Sequence, residues 1–264
     1  MNQPIKKIWD ARVAPENTHQ NLLLASLSKD VQERLFSRME WVELPQGKVV
    51  YESGDTVRHV YFPTDAIIAL LCVTESGASA ETALVGNEGV AGLALLMGGG
   101  SMSTQAVVQN SGHAYRLPGQ RFMDECDRHG ELLQLVLRYT QTLITQMSQT
   151  AVCNRHHCIE QRLCCWLLLS LDRLPGTELA MTQELIASML GVRREGVTEA
   201  AGKLQRQGII EYYRGRITVL DRTRLEHLSC ECYAVVRKET DRLLPGRPAQ
   251  LNAVTYRRVG ASAG

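Results

Sequence analysis

The 264-residue chain has no surplus of either charge: 29 Lys and Arg stand against 28 Asp and Glu, a formal net charge of +1. That balance excludes a polybasic protein that holds anions through bulk charge, so any nucleic-acid recognition has to come from one shaped face. Long apolar runs are also missing. The longest, Ala66 to Val73 and Leu163 to Leu169, fall far short of the ~20 residues that cross a bilayer. The first twenty residues scatter Ile5, Ile8, Trp9 and Val13 among charges and build no apolar targeting segment. A cytoplasmic location with no membrane partner is expected. The G-x-S-x-G, H-E-x-x-H, phosphate-loop and C-x-x-C signatures are absent too, and no paired catalytic constellation replaces them, so the chain is not expected to be an enzyme.

What is present is an ordinary globular composition, 44% hydrophobic and 22% charged, long enough for roughly two domains. A flexible arm is expected over 1–20, followed by a short helical stretch from Ser28 to Met39. From Trp41 to Arg116 short β-rich runs are cut by Gly, Asn, Asp and Pro at regular intervals, the texture of antiparallel strands in a barrel or sandwich. From Pro118 the apolar period becomes helical. Leu132, Leu135, Val136, Tyr139, Leu143 and Met147 form one stripe in a stretch with no Gly between Gly130 and Gly176. Such a stripe needs a partner surface, either the β-domain or a second copy of the chain, and a dimer seam is the expectation carried forward. After a break near Asn154 to His157, an apolar helix is expected over Ile159 to Leu171, ended by Leu174-Pro175-Gly176. The expected divisions are an effector-sensing β-domain over 21–129, a connecting helix over 130–155, a DNA-binding domain over 156–232, and a C-terminal extension with a disordered tail over 233–264.

Function is most legible in TQELIASMLGVRREGVTEAAGKL, Thr182 to Leu204. Ile186, Leu190, Val192, Val197, Ala200 and Leu204 have the spacing that buries the inner faces of two helices. Ala187 sits at their close approach, Gly191 suits the tight turn, and Thr182 suits an N-cap. The second helix keeps Arg193, Arg194, Glu195, Thr198, Glu199 and Lys203 off its buried face, near its N-terminus, where a recognition helix meets the major groove. Arg matches the O6 and N7 acceptors of guanine and Glu accepts from the cytosine amine, so Arg194 and Glu195 together suit one G·C pair. Downstream, GIIEYYRGRITVLD reads as two strands joined at Arg214-Gly215-Arg216, a wing. Over Leu179 to Leu228, eight Lys and Arg face six Asp and Glu, a mild local excess. Arg193, Lys203, Arg206, Arg214 and Arg216 are candidates for phosphate contacts that set register.

A β-domain with VELPQGKVVYESGD at its first turn, a long helix, MTQELIASMLGVRREGVTEAAGKLQRQGII and a wing resemble the Crp/Fnr family of bacterial transcription regulators, over about Ser28 to Leu228. Arg194 and Glu195 match the family's base-reading pair. The resemblance implies an α+β fold: an N-terminal antiparallel β-barrel of jelly-roll, cyclic-nucleotide-binding type, a long dimerisation helix and a C-terminal winged helix-turn-helix. It further implies a homodimer on a twofold-symmetric double-stranded DNA operator, allosteric control by a small-molecule or nucleotide effector through the hinge at Asn154 to Cys158, and RNA polymerase as a further partner. Glu199 stands where many members carry a second Arg, so the operator is expected to differ beside the G·C pair.

The effector segment also departs from the pattern. In GNEGVAGLALLMGGGSMSTQAVV, Glu88 within Gly86 to Gly89 stands for the ribose-binding acid. Ser101-Met102-Ser103-Thr104 holds no arginine to pair a cyclic phosphate, so classical cyclic AMP is not the expected effector. Gly98 to Gly100 with Ser101, Ser103 and Thr104 suit either an anion cradle or a vestigial loop. Met147 and Ser148 fall where the family's long helix meets the nucleotide base. No cofactor follows from these residues. The family's N-terminal iron-sulfur cysteines are missing, because no cysteine precedes Cys72. Cys72, Cys164 and Cys165 read as core thiols. Cys153, His157 and Cys158 in CNRHHC, with Cys230 and Cys232, are candidates either for metal binding or for structural thiols. Besides the leading function they leave open a redox- or metal-responsive regulator; a cyclic-nucleotide-binding-like module that binds no DNA is the other alternative.

Overall fold

Residues 20–244 are described in a computed structural model. All but Gln20 of the expected arm, and the tail from residue 245, lie outside them. Two short helices, α1 (Leu22–Ala25) and α2 (Lys29–Phe36), precede seven strands: β1 (Glu40–Leu44), β2 (Val49–Tyr51), β3 (His59–Pro63), β4 (Ile67–Val73), β5 (Ser79–Val85), β6 (Gln105–Asn110) and β7 (Gly112–Pro118). They pair antiparallel in two open sheets, ordered β1-β7-β3 and β2-β6-β4-β5. The expected barrel therefore takes the form of two sheets sharing one core, in which Phe62, Ile68, Val85 and Tyr115 are buried.

After α3 (Gly119–Cys126), the long helix α4 runs Glu131–His156, and α5 (Ile159–Leu171) opens the C-terminal domain. There β8 (Glu178–Ala180), α6 (Gln183–Leu190), α7 (Arg194–Arg206), β9 (Ile210–Tyr213), β10 (Arg216–Val219), α8 (Arg222–Leu228) and α9 (Glu231–Leu243) follow. Residues 233 to 243, the start of the expected extension, belong to the ordered helix α9, whose N-terminal Cys232, Tyr233 and Val236 join the core of this domain.

The apolar stripe of α4 finds its partner within the chain. Leu132, Leu135, Val136, Tyr139 and Leu143 are buried in the core of the β-domain, and Met147 packs against it. Helical spacing records that a stripe is buried and not against what, and here the β-domain takes it, which corrects the expected dimer seam. A second, weaker apolar line is left outside: Leu137 is 49% and Ile144 58% exposed, and Ala151 is exposed as well. These three recur every seven residues, the period at which two helices can pair.

β4 explains the long apolar run at Ala66 to Val73. A strand alternates its side chains between two faces. Ile68 and Leu70 enter the β-domain core, whereas Ile67, Ala69 and Leu71 enter a second core with α5, α6 and α7. Both faces are covered as far as Leu71, so both are apolar; Cys72, expected as a core thiol, and Val73 lie beyond that cover and are exposed. Helix α5 lies at the centre of that second core with every residue from Arg162 to Leu171 buried.

One cation ties the parts together. Arg173, 4% exposed, follows α5 and donates from Nε to Glu88 Oε1 of the β-domain at 2.8 Å, from Nη2 to Gln146 Oε1 of α4 at 3.2 Å, and from Nη1 to the Leu169 carbonyl at 2.6 Å. A buried charge that loses its partner is strongly destabilising, whereas an apolar replacement of both partners is close to neutral. Arg173→Ala is therefore expected to cost about 3–5 kcal/mol in denaturant unfolding, and Arg173→Met combined with Glu88→Leu much less.

Candidate nucleic-acid interface and sensor pocket

The helix-turn-helix is built by its termini. Thr182 caps α6, its side chain accepting from the Leu185 amide at 3.2 Å. Gly191 then stops the helix with φ +61°, a left-handed conformation that glycine adopts without strain. Arg193 is the N-cap residue of α7, so Arg194 and Glu195 occupy its first turn, where backbone amides and side chains face the same ligand. Ile186, Leu190, Val197, Ala200 and Leu204 are buried between the helices, and Arg193, Arg194, Glu195, Thr198 and Glu199 are exposed. A residue the pattern did not single out, Gln183, fixes the pair: its Oε1 accepts from Thr198 Oγ1 at 2.7 Å. Gly196 is explained by packing, because a Cβ there would stand 2.6 Å from Ile159 Cδ1 of α5.

The candidate phosphate contacts are not equivalent. Arg206 and Arg214 are exposed, and Arg214 forms the wing tip with φ +47° beside Gly215 at φ +77°, a two-residue turn with both residues left-handed. Its guanidinium lies 4.9 Å from the Tyr213 ring. Arg216, in contrast, is paired with Glu178. Lys203 stands 3.2 Å from Glu199 and 3.8 Å from Glu160, so two carboxylates already share its charge. Arg194 lies 3.8 Å from Glu184 and stays 63% exposed.

The residues expected to hold an effector do not form an open nucleotide site. Glu88, 3% exposed, is committed to Arg173. A Cβ on Gly86 would fall 2.6 Å from the Arg173 side chain, and one on Gly89 would fall 2.3 Å from the Tyr139 hydroxyl. The chain's own side chains thus press on this turn. The amides of Gly98 and Gly100 are spent on the carbonyls of Leu95 and Ala94, which removes them from an anion cradle. Ser101 and Ser103 are exposed, as is Ser148, whose hydroxyl bonds the Ile144 carbonyl. Thr104 is buried, its hydroxyl without a partner in hydrogen bonding. Met147 packs on the β-domain core. This geometry does not fit a cyclic nucleotide at these residues.

Between the domains lies a cavity of about 40 Å³ lined by Glu81, Gln146, Arg162, Cys165, Trp166 and Met189 among others. Glu81 is 8% exposed and accepts from Trp166 Nε1 at 3.2 Å. Burial pushes its carboxyl up to about 8, and the Trp166 hydrogen bond offsets only part of this. Arg162 closes the cavity with a hydrogen bond to the Leu190 carbonyl.

Beside this cavity the structure gathers four of the candidate metal ligands. Cys153 and His157 from the end of α4 and Cys230 and Cys232 from the start of α9 bring their ligand atoms within 4.8 Å of one another. Cys158 stays apart and exposed, its thiol at 3.4 Å from Gln161 Oε1. Cys165, which reads as a core thiol, reaches the group as well: hydrogen bonds from Cys153 and Cys165 hold the Cys230 thiol far below its ordinary value.

Two family models match the chain, a cyclic nucleotide-binding domain over residues 41–129 and a Crp-like helix-turn-helix domain over residues 161–228. None of the curated proteins matches it. Among solved structures, it is similar to a protein from Eubacterium rectale ascribed to the crp/fnr family of transcriptional regulators, with TM-score 0.62 and 16% identity over 80% of this chain and 98% of that one. It is also similar to FixK2 from Bradyrhizobium japonicum, with TM-score 0.59 and 15% identity over 73% and 98% of the two chains. The c-di-GMP responsive global regulator CLP of Xanthomonas campestris gives TM-score 0.59 and 14% identity over 73% and 99%. At these identities the structural likenesses bear on the fold.

The Glu81 carboxyl makes stability depend on pH. Its value stands near 8 in the folded chain against 4.5 as a free side chain. Its contribution to folding is therefore complete below about 4.5 and is lost as pH rises through about 8. Denaturant midpoints are expected to fall across that window in the wild type and to fall less in Glu81→Gln, and identical pH profiles would count against the buried carboxyl.

Proposed function

We propose that this chain, which belongs to the Crp/Fnr family of DNA-binding transcription regulators, works as a homodimer that reads a twofold-symmetric operator with one α7 per half-site. Its two matched domains supply a cyclic nucleotide-binding fold and a Crp-like helix-turn-helix. The observation that carries the reading is the first turn of α7, where Arg194 and Glu195 are exposed directly after a glycine-made turn. In that position Arg194 reads guanine and Glu195 the paired cytosine. Arg193, Arg206 and Arg214 contact phosphates and set the register. Arg216 and Lys203 are engaged by carboxylates and contribute less.

The second copy packs on the outer line of α4, through Leu137, Ile144 and Ala151. What supports this is an apolar heptad line on a 26-residue helix whose broader stripe the β-domain already covers. Regulation runs through the contact of Arg173 with Glu88. An effector that took Glu88 would have to break that ion pair, which would free the DNA-binding domain from the β-domain. The effector is not classical cyclic AMP, since the turn at Gly86 to Gly89 is filled from within and no arginine stands in 101–104. The chain is a regulator and not an enzyme, and acts in the cytoplasm.

Operator sites recovered by random-site selection and measured by fluorescence anisotropy test this. Arg194→Ala should weaken specific binding by about 1–3 kcal/mol and relax preference at one base pair, while Arg206→Ala weakens all sequences alike. Unchanged specificity in Arg194→Ala would remove its role. Ile144→Glu should turn the dimer into a folded monomer in sedimentation, whereas a dimer that survives it would place the seam elsewhere.

A further inference from the structure

The geometry points to a mononuclear zinc site in which Cys153, His157, Cys230 and Cys232 bind one Zn²⁺ and pin the C-terminal helix α9 to the end of α4. This does not depend on the operator reading, because it concerns a different face of the molecule.

Four ligand atoms from two helices lie within 4.8 Å of one another. Tetrahedral zinc, with bonds of about 2.3 Å to sulfur and about 2.0–2.1 Å to nitrogen, spaces two sulfurs by roughly 3.8 Å and a sulfur and a nitrogen by roughly 3.6 Å. Here Cys153 Sγ and Cys230 Sγ stand 3.5 Å apart, and Cys232 Sγ stands 3.6 Å from His157 Nδ1. Both spacings suit a shared metal.

The chemistry agrees with the spacing. Three soft sulfurs and an imidazole select zinc over magnesium or calcium, which take oxygen. Cys153, Cys230 and Cys232 are buried, which suits a closed structural site. The histidine is oriented from outside: with Nδ1 toward the sulfurs, His157 Nε2 lies 3.4 Å from Glu231 Oε1, the carboxylate-to-histidine support that zinc ligands carry. Cys230 is the N-cap residue of α9 and Cys232 lies in its first turn, where the helix dipole favours thiolates. The bland account, packed core thiols, leaves the half-buried imidazole and its carboxylate unexplained.

The site has a structural consequence. His157 ends α4 and Cys158 begins the turn into α5, so the metal would bridge from the hinge to α9, the second helix after the wing. Zinc would then brace the hinge, as a bolt set across it.

The test is titration of the full-length, reduced, metal-stripped protein with Zn²⁺ and with Co²⁺. One equivalent per protomer should bind, raise the melting temperature, and with Co²⁺ give the intense visible bands and thiolate-to-metal charge transfer of a tetrahedral sulfur-rich site. Cys232→Ser and Cys230→Ser should abolish this spectrum, and Cys158→Ser and Cys72→Ser should keep it. The wild-type cobalt spectrum stands without the variants should those not fold. A six-coordinate, sulfur-free spectrum, no stoichiometric uptake by folded protein, loss of binding in Cys158→Ser, or iron with acid-labile sulfide in protein purified without oxygen would each overturn the proposal.

Discussion

A single buried guanidinium joins three parts of the molecule at the border between the two domains. Arg173 cannot leave its charge unpaired in the interior, so the positions of Glu88, Gln146 and the end of α5 are set together. These belong respectively to the β-domain, the long helix and the DNA-binding domain. A weaker set of polar contacts follows the same border: Gln109 to Ser170 at 3.3 Å, Gln46 to the Ala180 carbonyl at 2.9 Å, and Ser79 to Ser188 at 2.9 Å. The border thus combines polar contacts, the Gln109–Ser170 one buried, with an apolar seam where the outer face of β4 meets α5.

This arrangement gives the β4–β5 hairpin two duties. Its inner face closes the core of the β-domain, and its outer face seats the DNA-binding domain. A strand with both faces dry has little freedom to move alone, since sliding it would open voids in two cores at once. Any displacement of the β-domain relative to the C-terminal domain would therefore have to move the hairpin whole or separate the domain from it.

The helix-turn-helix and wing were legible in the sequence because their signals are local. A capping threonine, a left-handed glycine and a hydrophobic period lie within twenty-odd residues of one another, and each has one structural meaning. What covers the α4 stripe is not legible for the opposite reason. Leu135, Val136 and Tyr139 announce burial, but whether the surface facing them comes from the same chain is a tertiary fact. The true leftover line, Leu137, Ile144 and Ala151, is thin enough to pass for scattered exposed residues. Arg173 gave no signal at all, being one arginine after a helix. Cys153 and Cys230 stand 77 residues apart, so their meeting was beyond any motif, although the residues were singled out individually. The crowding of the turn at Gly86 to Gly89 is not legible locally, because the side chains that press on it, from Tyr139 and Arg173, come from elements with which it shares no local pattern.

The turn of the helix-turn-helix rests on the sheet of the β-domain itself: a Cβ on Gly191 would stand 3.2 Å from the Ala80 methyl of β5, and Ser188 just before it bonds Ser79. The pivot of the reading head is thus also its point of support, and α7, with 13 residues, extends about 20 Å beyond it as a lever arm. Tilting that arm by about 10° at the pivot would carry its far end by about 3 Å, the length of one hydrogen bond. Arg194 and Glu195, in the first turn beside the pivot, would move little in such a tilt, whereas Arg206 at the far end would take the full displacement.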